Sequence, residues 1–241
     1  MKVAVVACLH GNVVGLEAVI QDAEARKAEQ IVVLGDLLGG HPDHSALFDL
    51  VRKRGDPVVA GVLDQSALDD LSDAKAMGDN PFSRAFLWAA ERLTAEEKAW
   101  LAGLPKTHVV DGGDSGKLVV CHNSPLSLTE KIDWTTTYDT PQFEERFRRG
   151  DARVIARANL HGQFAVTRGP YTAVNVGSGG LPVDNDPRAG YALFESVAGG
   201  WRVDLLRVPY DYDKAAQRIT DSGMPDGEAR AQLTRTGRRA W

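Results

Sequence analysis

Six residues of metal-ligand type stand just beyond short apolar runs. Cys8 and His10 follow Val3-Ala-Val-Val-Ala7, Asp36 follows Ile31-Val-Val-Leu34, His122 follows Leu118-Val-Val-Cys121, and Asn159 and His161 follow Val154-Ile-Ala156. Thiolate, imidazole, carboxylate and amide oxygen together make a donor set for a divalent ion. Cys8 and His10, like Asn159 and His161, are spaced i, i+2, so in an extended or turning backbone both members of a pair project to one side. Each residue taken alone has a plainer reading. A strand-end cysteine is a small buried hydrophobe, an aspartate caps a turn, and a histidine leaving a strand is a satisfied structural group. Four such turns in one chain favour a common cluster. His41, His44 and His108 have no second ligand-type neighbour; surface roles are favoured for them, although His41 and His44 could line the mouth of the site.

The apolar runs are β-branched-rich and short, which predicts buried parallel strands, and in an open α/β sheet ligands bind beyond the carboxyl ends of such strands. The first 60 residues alternate: strand 3–7, helix from about Gly15 to Lys27, strand 31–34, helix from about Asp43 to Arg54, then Pro57-Val-Val-Ala60. This is a βαβαβ pattern with right-handed crossovers. Leu16, Val19, Ile20 and Ala23, at i, i+3, i+4 and i+7, give the first helix its buried face. Residues 64–105 read as a helical insert, with a capping box at Thr94-Ala-Glu-Glu97. Strands return at 117–121 and 153–156, with a helix starting near Pro141 between them. Phe164–Arg168, Tyr171–Val176, Tyr191–Glu195 and Trp201–Val208 are short strands between glycine-bearing turns, which predicts antiparallel pairing. The last 30 residues are polar and helix-prone, and Arg230, Arg235, Arg238 and Arg239 read as a solvated basic face.

With 241 residues, 43% hydrophobic and 25% charged, the composition is globular and favours one domain. A net charge of −5 argues against holding nucleic acid by counterion release. Two strand-end cysteines make no disulfide framework, and no signal peptide or bilayer-length apolar stretch stands out, so a cytoplasmic setting and no membrane partner are expected.

Several flanking pieces resemble one family. They are His10-Gly-Asn12 with Leu16-Glu-Ala-Val19, Gly35-Asp-Leu-Leu-Gly39, His122-Asn-Ser-Pro125, and Asn175-Val-Gly-Ser-Gly-Gly-Leu-Pro182 with Asp186-Pro-Arg-Ala-Gly-Tyr191. Residues 1 to about 208 are similar in this way to the calcineurin-like metallophosphoesterases, specifically the small bacterial type. That family's pattern is Asp-x-His, Gly-Asp, Gly-Asn-His-Asp or Glu, a strand-end His, and Gly-His-x-His. His10, Asp36, His122 and His161 match it, as does Asp64 at the acidic end of the third motif. Cys8 stands where the pattern has aspartate, Val62 where it has the asparagine ligand, Leu63 where it has the catalytic histidine, and Asn159 where it has the first histidine of the last motif; Ala158 replaces that motif's leading glycine.

The resemblance implies a four-layer α/β/β/α sandwich, parallel-rich in its first half and antiparallel in its second, over residues 1–208, followed by a helical extension at 209–241. It implies one metal held by Cys8, His10, Asp36 and His161, a set that suits zinc, iron or manganese better than magnesium. A second metal, left with Asp36, His122 and Asn159, is expected to be weak or absent. The implied chemistry is hydrolysis of a phosphomonoester or phosphodiester through metal-bound hydroxide, with Asp36 and His122 as catalytic residues, His122 or His41 as proton donor, and Asn12 and His41 at the substrate. Leu63 cannot donate a proton, and loss of a general acid typically removes about 10²–10⁴ in rate. The alternatives are a catalytically inactive member binding a phosphate-bearing ligand or a protein partner, and a redox role for Cys8. A small phosphorylated ligand is the expected partner. Edge strands in the second half leave pairing between copies of the chain open.

Overall fold

The computed structural model describes residues 1–69, 71, 78–128, 144–145 and 151–239. The chain begins with β1 (Lys2–Ala7), α1 (Val13–Ala25), β2 (Gln30–Leu34), α2 (His44–Arg54) and β3 (Val58–Val59). β1 pairs in parallel with β2, and β2 with β3, as the βαβαβ pattern predicts. Asn12 caps α1 by accepting from the Gly15 N–H at 2.9 Å, and Leu16, Val19, Ile20 and Ala23 are buried on one face of the helix. α2 ends at Gly55, whose φ of 70° is the left-handed cap that glycine adopts without strain.

Among the described residues three short helices follow: α3 (Val62–Ser66), α4 (Pro81–Ala90) and α5 (Ala95–Ala102). The expected capping box forms, with the Glu97 N–H donating to Thr94 Oγ1 at 3.1 Å and the Thr94 N–H to Glu97 Oε2 at 2.8 Å. Next come β4 (Thr107–Asp111), β5 (Lys117–Cys121), β6 (Val154–Arg157), β7 (Gln163–Arg168), β8 (Tyr171–Val176), β9 (Ala189–Val197) and β10 (Gly200–Val208). β4 has no clear signal in the sequence because it is an edge strand with only Val110 buried. The helix expected near Pro141 lies outside the described residues.

The strands form two mixed sheets, ordered β10-β9-β1-β2-β3 and β4-β5-β6-β8-β7. The pairs β7/β8 and β9/β10 are antiparallel, as the glycine-bearing turns predict. They do not form one antiparallel unit. β9 crosses back to lie antiparallel beside β1, while β6 runs parallel to both β5 and β8. Period-2 alternation assigns the faces. Val3, Val5 and Ala7 of β1 meet Val120, Ala156 and Val174 of the other sheet in a core between the sheets. Ala4 and Val6 face the opposite way, onto Leu16 and Val19 of the helical layer. The result is a sandwich of two mixed sheets flanked by helices.

The chain closes with α6 (Tyr212–Asp221) and α7 (Gly227–Thr236); α6 packs on α1 and α7. Here the solvated-face reading of the arginines needs correction. Arg235 does pair at the surface with Asp213 at 2.7 Å, but Arg230 is only 1% exposed, its guanidinium held by backbone carbonyls of the Gly39-Gly40 turn. Among the described residues no helix is long and apolar enough to cross a membrane.

Candidate metal centre

The turns that follow β1, β2, β5 and β6 converge on one edge of the sandwich, as the carboxyl ends of neighbouring parallel strands must. Backbone bonds zip the first two turns together: Cys8 N to Gly35 O at 3.0 Å, His10 N to Asp36 O at 2.8 Å, and Gly11 N to Leu37 O at 2.7 Å. Asp64 ties in the turn after β3, its carboxylate accepting from the N–H groups of Asp36 at 2.9 Å, Leu37 at 2.8 Å and Gly61 at 2.8 Å. The approach is so close that a Cβ on Gly61 would lie 2.0 Å from the Asp36 nitrogen, which explains why glycine stands there. Cys8, His10, Asp36, Asn159 and His161 all have positive φ, between 47° and 73°, a region that costs a side-chain-bearing residue energy and that clusters at functional sites.

These turns bring the ligand atoms together. Cys8 Sγ and nitrogens of His10 and His161 lie within 4.8 Å of one another, as do Cys8 Sγ, a carboxylate oxygen of Asp36 and a nitrogen of His122. His10 Nδ1 lies 3.2 Å from the Leu38 carbonyl and His161 Nδ1 lies 2.6 Å from that of Leu181, which places the ring proton on Nδ1 in both. The two Nε2 lone pairs then face each other at 3.1 Å and cannot hydrogen-bond. Burial lowers both histidines, His10 to about 3 and His161 to about 4, so the rings are neutral. Two converging lone pairs, with outer nitrogens fixed by carbonyls, are the arrangement a cation resolves.

His122 is fully buried and neither of its ring nitrogens has an aligned hydrogen bond, although Nε2 lies 3.2 Å from Asp36 Oδ2. Burial is the largest influence and would lower its pKa, but the charge and contact of Asp36, with the Asp64 charge and the Leu34 backbone, together outweigh it and raise the pKa. Burial likewise pushes Asp36 up, and His122 together with the Leu63 N–H, 2.8 Å from Asp36 Oδ1, holds it below the usual carboxylate range. Burial and then the Asp36 charge push the Cys8 thiol well up, and lift the Asp64 carboxyl to about 7. Orphaned imidazole nitrogens, facing lone pairs and a buried thiol fit a thiophilic divalent ion.

The cluster opens into a cavity of about 580 Å³. His10, Asp36 and His161 reach it; Val62, Leu63, Phe82, Leu160, Leu181 and Leu233 give apolar wall, and Asn80, Asn159, Arg230 and Arg239 polar wall. His122 does not line it and lies behind Asp36. Asn159 lines it, with its amide nitrogen donating to Asn123 Oδ1 at 3.0 Å. Asn12 is instead a strut, donating to the Gly180 carbonyl and the Tyr210 hydroxyl, each at 3.1 Å, while capping α1. His41 is 1% exposed, its Nε2 lying 3.4 Å from Thr234 Oγ1, and burial with the Arg230 charge lowers it to about 3. His44 is buried against Phe48. Neither histidine lines the cavity, and neither is on the surface. Arg230 and Arg239 read in the sequence as a solvated face and Leu233 carried no signal, because they join the site only through the packing of α7 and the residues after it. The Asn175–Pro182 loop did carry one: Ser178 Oγ donates to the Cys8 carbonyl at 2.7 Å, and Leu181 orients His161.

Residues 1–199 match the model of the calcineurin-like phosphoesterase superfamily domain. An uncharacterised protein of Methanocaldococcus jannaschii is 24% identical over 244 residues, covering 93% of this chain and 94% of that one. Among solved structures, a metallophosphoesterase from Sphaerobacter thermophilus is 26% identical with a TM-score of 0.77, covering 98% of this chain and 99% of its own. A hypothetical protein from Pyrococcus horikoshii superposes with a TM-score of 0.81 at 21% identity, covering 99% of both chains. With a family match over most of its length and the family's fold around its buried ligand cluster, this chain belongs to the calcineurin-like phosphoesterase superfamily.

Proposed function

We propose that the protein is a metal-dependent phosphoesterase acting on a small phosphorylated molecule through a remodelled site. The observation that carries this reading is the convergence of donors from Cys8, His10, Asp36, His122 and His161, of which His10, Asp36 and His161 reach a cavity of about 580 Å³. That volume suits a small ligand. Cys8, His10, His161 and Asp36 would hold one ion, and a bound divalent ion supplies Lewis acidity toward a phosphate ester. Asp36 also anchors the Leu63 N–H, so the floor keeps its shape although its side chain at 63 cannot carry a proton. His122 is set behind Asp36, where it orients that carboxylate and does not reach a leaving group. The apolar wall excludes water from one side of the substrate and favours esters whose leaving group departs without a proton.

Leu63 in the cavity wall favours a second reading, a member that binds a phosphate-bearing ligand without turnover. One experiment separates the two: elemental analysis of untagged protein prepared without chelator, beside the Cys8→Ala variant, with hydrolysis of an aryl phosphomonoester and an aryl phosphodiester measured on the same samples. The expected result is about one zinc, iron or manganese per chain, lost in Cys8→Ala together with hydrolysis. Metal without turnover of either ester moves the conclusion to the binding protein, and no metal in the unaltered chain overturns the hydrolase.

A further inference from the structure

Arg230 is buried, yet among the described residues no carboxylate bonds it. Its Nε and Nη2 donate to the Gly40 carbonyl at 3.1 and 2.8 Å, Nη2 also to Gly39 at 3.3 Å, and Nη1 to Pro81 at 3.1 Å. Asp226, the acid whose charge reaches it, accepts instead from Arg84 at 2.8 and 3.0 Å. Burial lowers the guanidinium to about 10, which leaves it charged at neutral pH. A buried cation without a contacting counter-ion is costly, and this one lines the cavity with one Nη1 N–H that no described residue accepts. The carbonyl it grips belongs to Gly40, whose own N–H donates to His10 O at 3.0 Å, so Arg230 stands behind one of the two facing histidines. Arg239 bears on the other histidine: its charge acts on His161, it lines the same cavity, and it has no hydrogen-bond or ion-pair partner among the described residues. Among the described lining residues two guanidiniums thus stand against one carboxylate, Asp36.

We propose that Arg230 and Arg239, both brought by the C-terminal segment, clamp the anionic group at the histidine pair and select a doubly charged phosphate, that of a monoester or the end of a polyphosphate chain, over a singly charged diester. The clamp rests on the cavity being the phosphate site and narrows its substrate. A phosphomonoester carries close to two charges at neutral pH, a diester one, and a guanidinium to phosphate bond is charge-assisted on both sides. Arg230 is rigid because its fork is fixed by four carbonyl bonds; Arg239, in the exposed segment after α7, closes onto the ligand.

The test is calorimetric titration of the protein as purified, its metal content measured, with inorganic phosphate, pyrophosphate and dimethyl phosphate. Inorganic phosphate and pyrophosphate are expected to bind at least about tenfold more tightly than dimethyl phosphate. Arg239→Gln should remove most of that preference, Arg239→Lys should retain much of it, and Arg238→Gln, next to the clamp but outside the cavity, should leave it intact. Equal binding of the three probes, or an Arg239→Gln variant that discriminates as the unaltered chain does, overturns the clamp. Absence of ester hydrolysis alongside intact discrimination overturns the hydrolase reading and leaves the clamp standing, so the two failures are distinguishable.

Discussion

A thiol at position 8 changes the character of the ligand set. Cys8 is fully buried and belongs to both groups of converging donors, so one sulfur is common to the two. Its neighbours are the neutral imidazoles of His10 and His161, the imidazole of His122 and one carboxylate, a set that accommodates a borderline-soft ion. Leu63 divides a residue's two roles. Its N–H positions Asp36, while its side chain gives the cavity only hydrocarbon, which carries no proton. Leu63→His, which leaves that N–H in place, is therefore expected to raise turnover of alkyl phosphate esters by about 10²–10⁴ while raising aryl esters with acidic leaving groups much less. A leaving-group series measured on both proteins checks this, and an unchanged slope sinks the leaving-group argument.

At the scale of elements, the site depends on turns that must approach closer than side chains allow. Asp64, on the first turn of α3, gathers three N–H groups of the turns after β2 and β3, all buried. Asp64→Ala strands those donors at about 1–3 kcal/mol each if no water replaces the carboxylate. We expect a loss of about 3 kcal/mol or more in urea unfolding, together with a lower metal content because Asp36 loses its backbone anchor. An unaltered unfolding midpoint would show that water or a shifted loop takes the role of Asp64. The left-handed backbone at five of the six candidate ligands points the same way, since such strain persists only where surrounding bonds over-determine it.

For the whole molecule, the two sheets present parallel strand ends at one edge, and α7 closes that edge from the far end of the chain. A second concavity, of about 510 Å³, lies around Lys117, Asp151 and Arg153 at the opposite end of β5 from Cys121, and contains none of the candidate ligands. The candidate ligands lie on turns from both sheets, so an ion bound by them should stabilise the entire fold. Adding zinc to chelator-treated protein at 100 times its Kd corresponds to about 2.7 kcal/mol, or roughly 5–10 °C in Tm for a domain of this size. Differential scanning fluorimetry with and without zinc checks this; an unmoved Tm would mean that the donors do not bind zinc.

Much of this was legible in the residues because it is local or periodic. The βαβαβ start, the face of α1 and the Thr94 capping box follow from spacing, and strand-end positions with i, i+2 pairs marked Cys8, His10, Asp36, His122, Asn159 and His161. Amino-acid order alone could not say which way a polar side chain would turn. Asn12 and His41 stand close to ligands in sequence yet became struts, because backbone carbonyls, a tyrosine and a threonine from distant segments met them first. Nor could it place β9 beside β1, or Arg230 and Arg239 at the cavity, since those contacts span most of the chain and have no local period. The sequence determined the candidate ligands and the strands that carry them. Tertiary packing decided which charges surround them, because a side chain's electrostatic partner is set by proximity in space and by burial, not by its place along the chain.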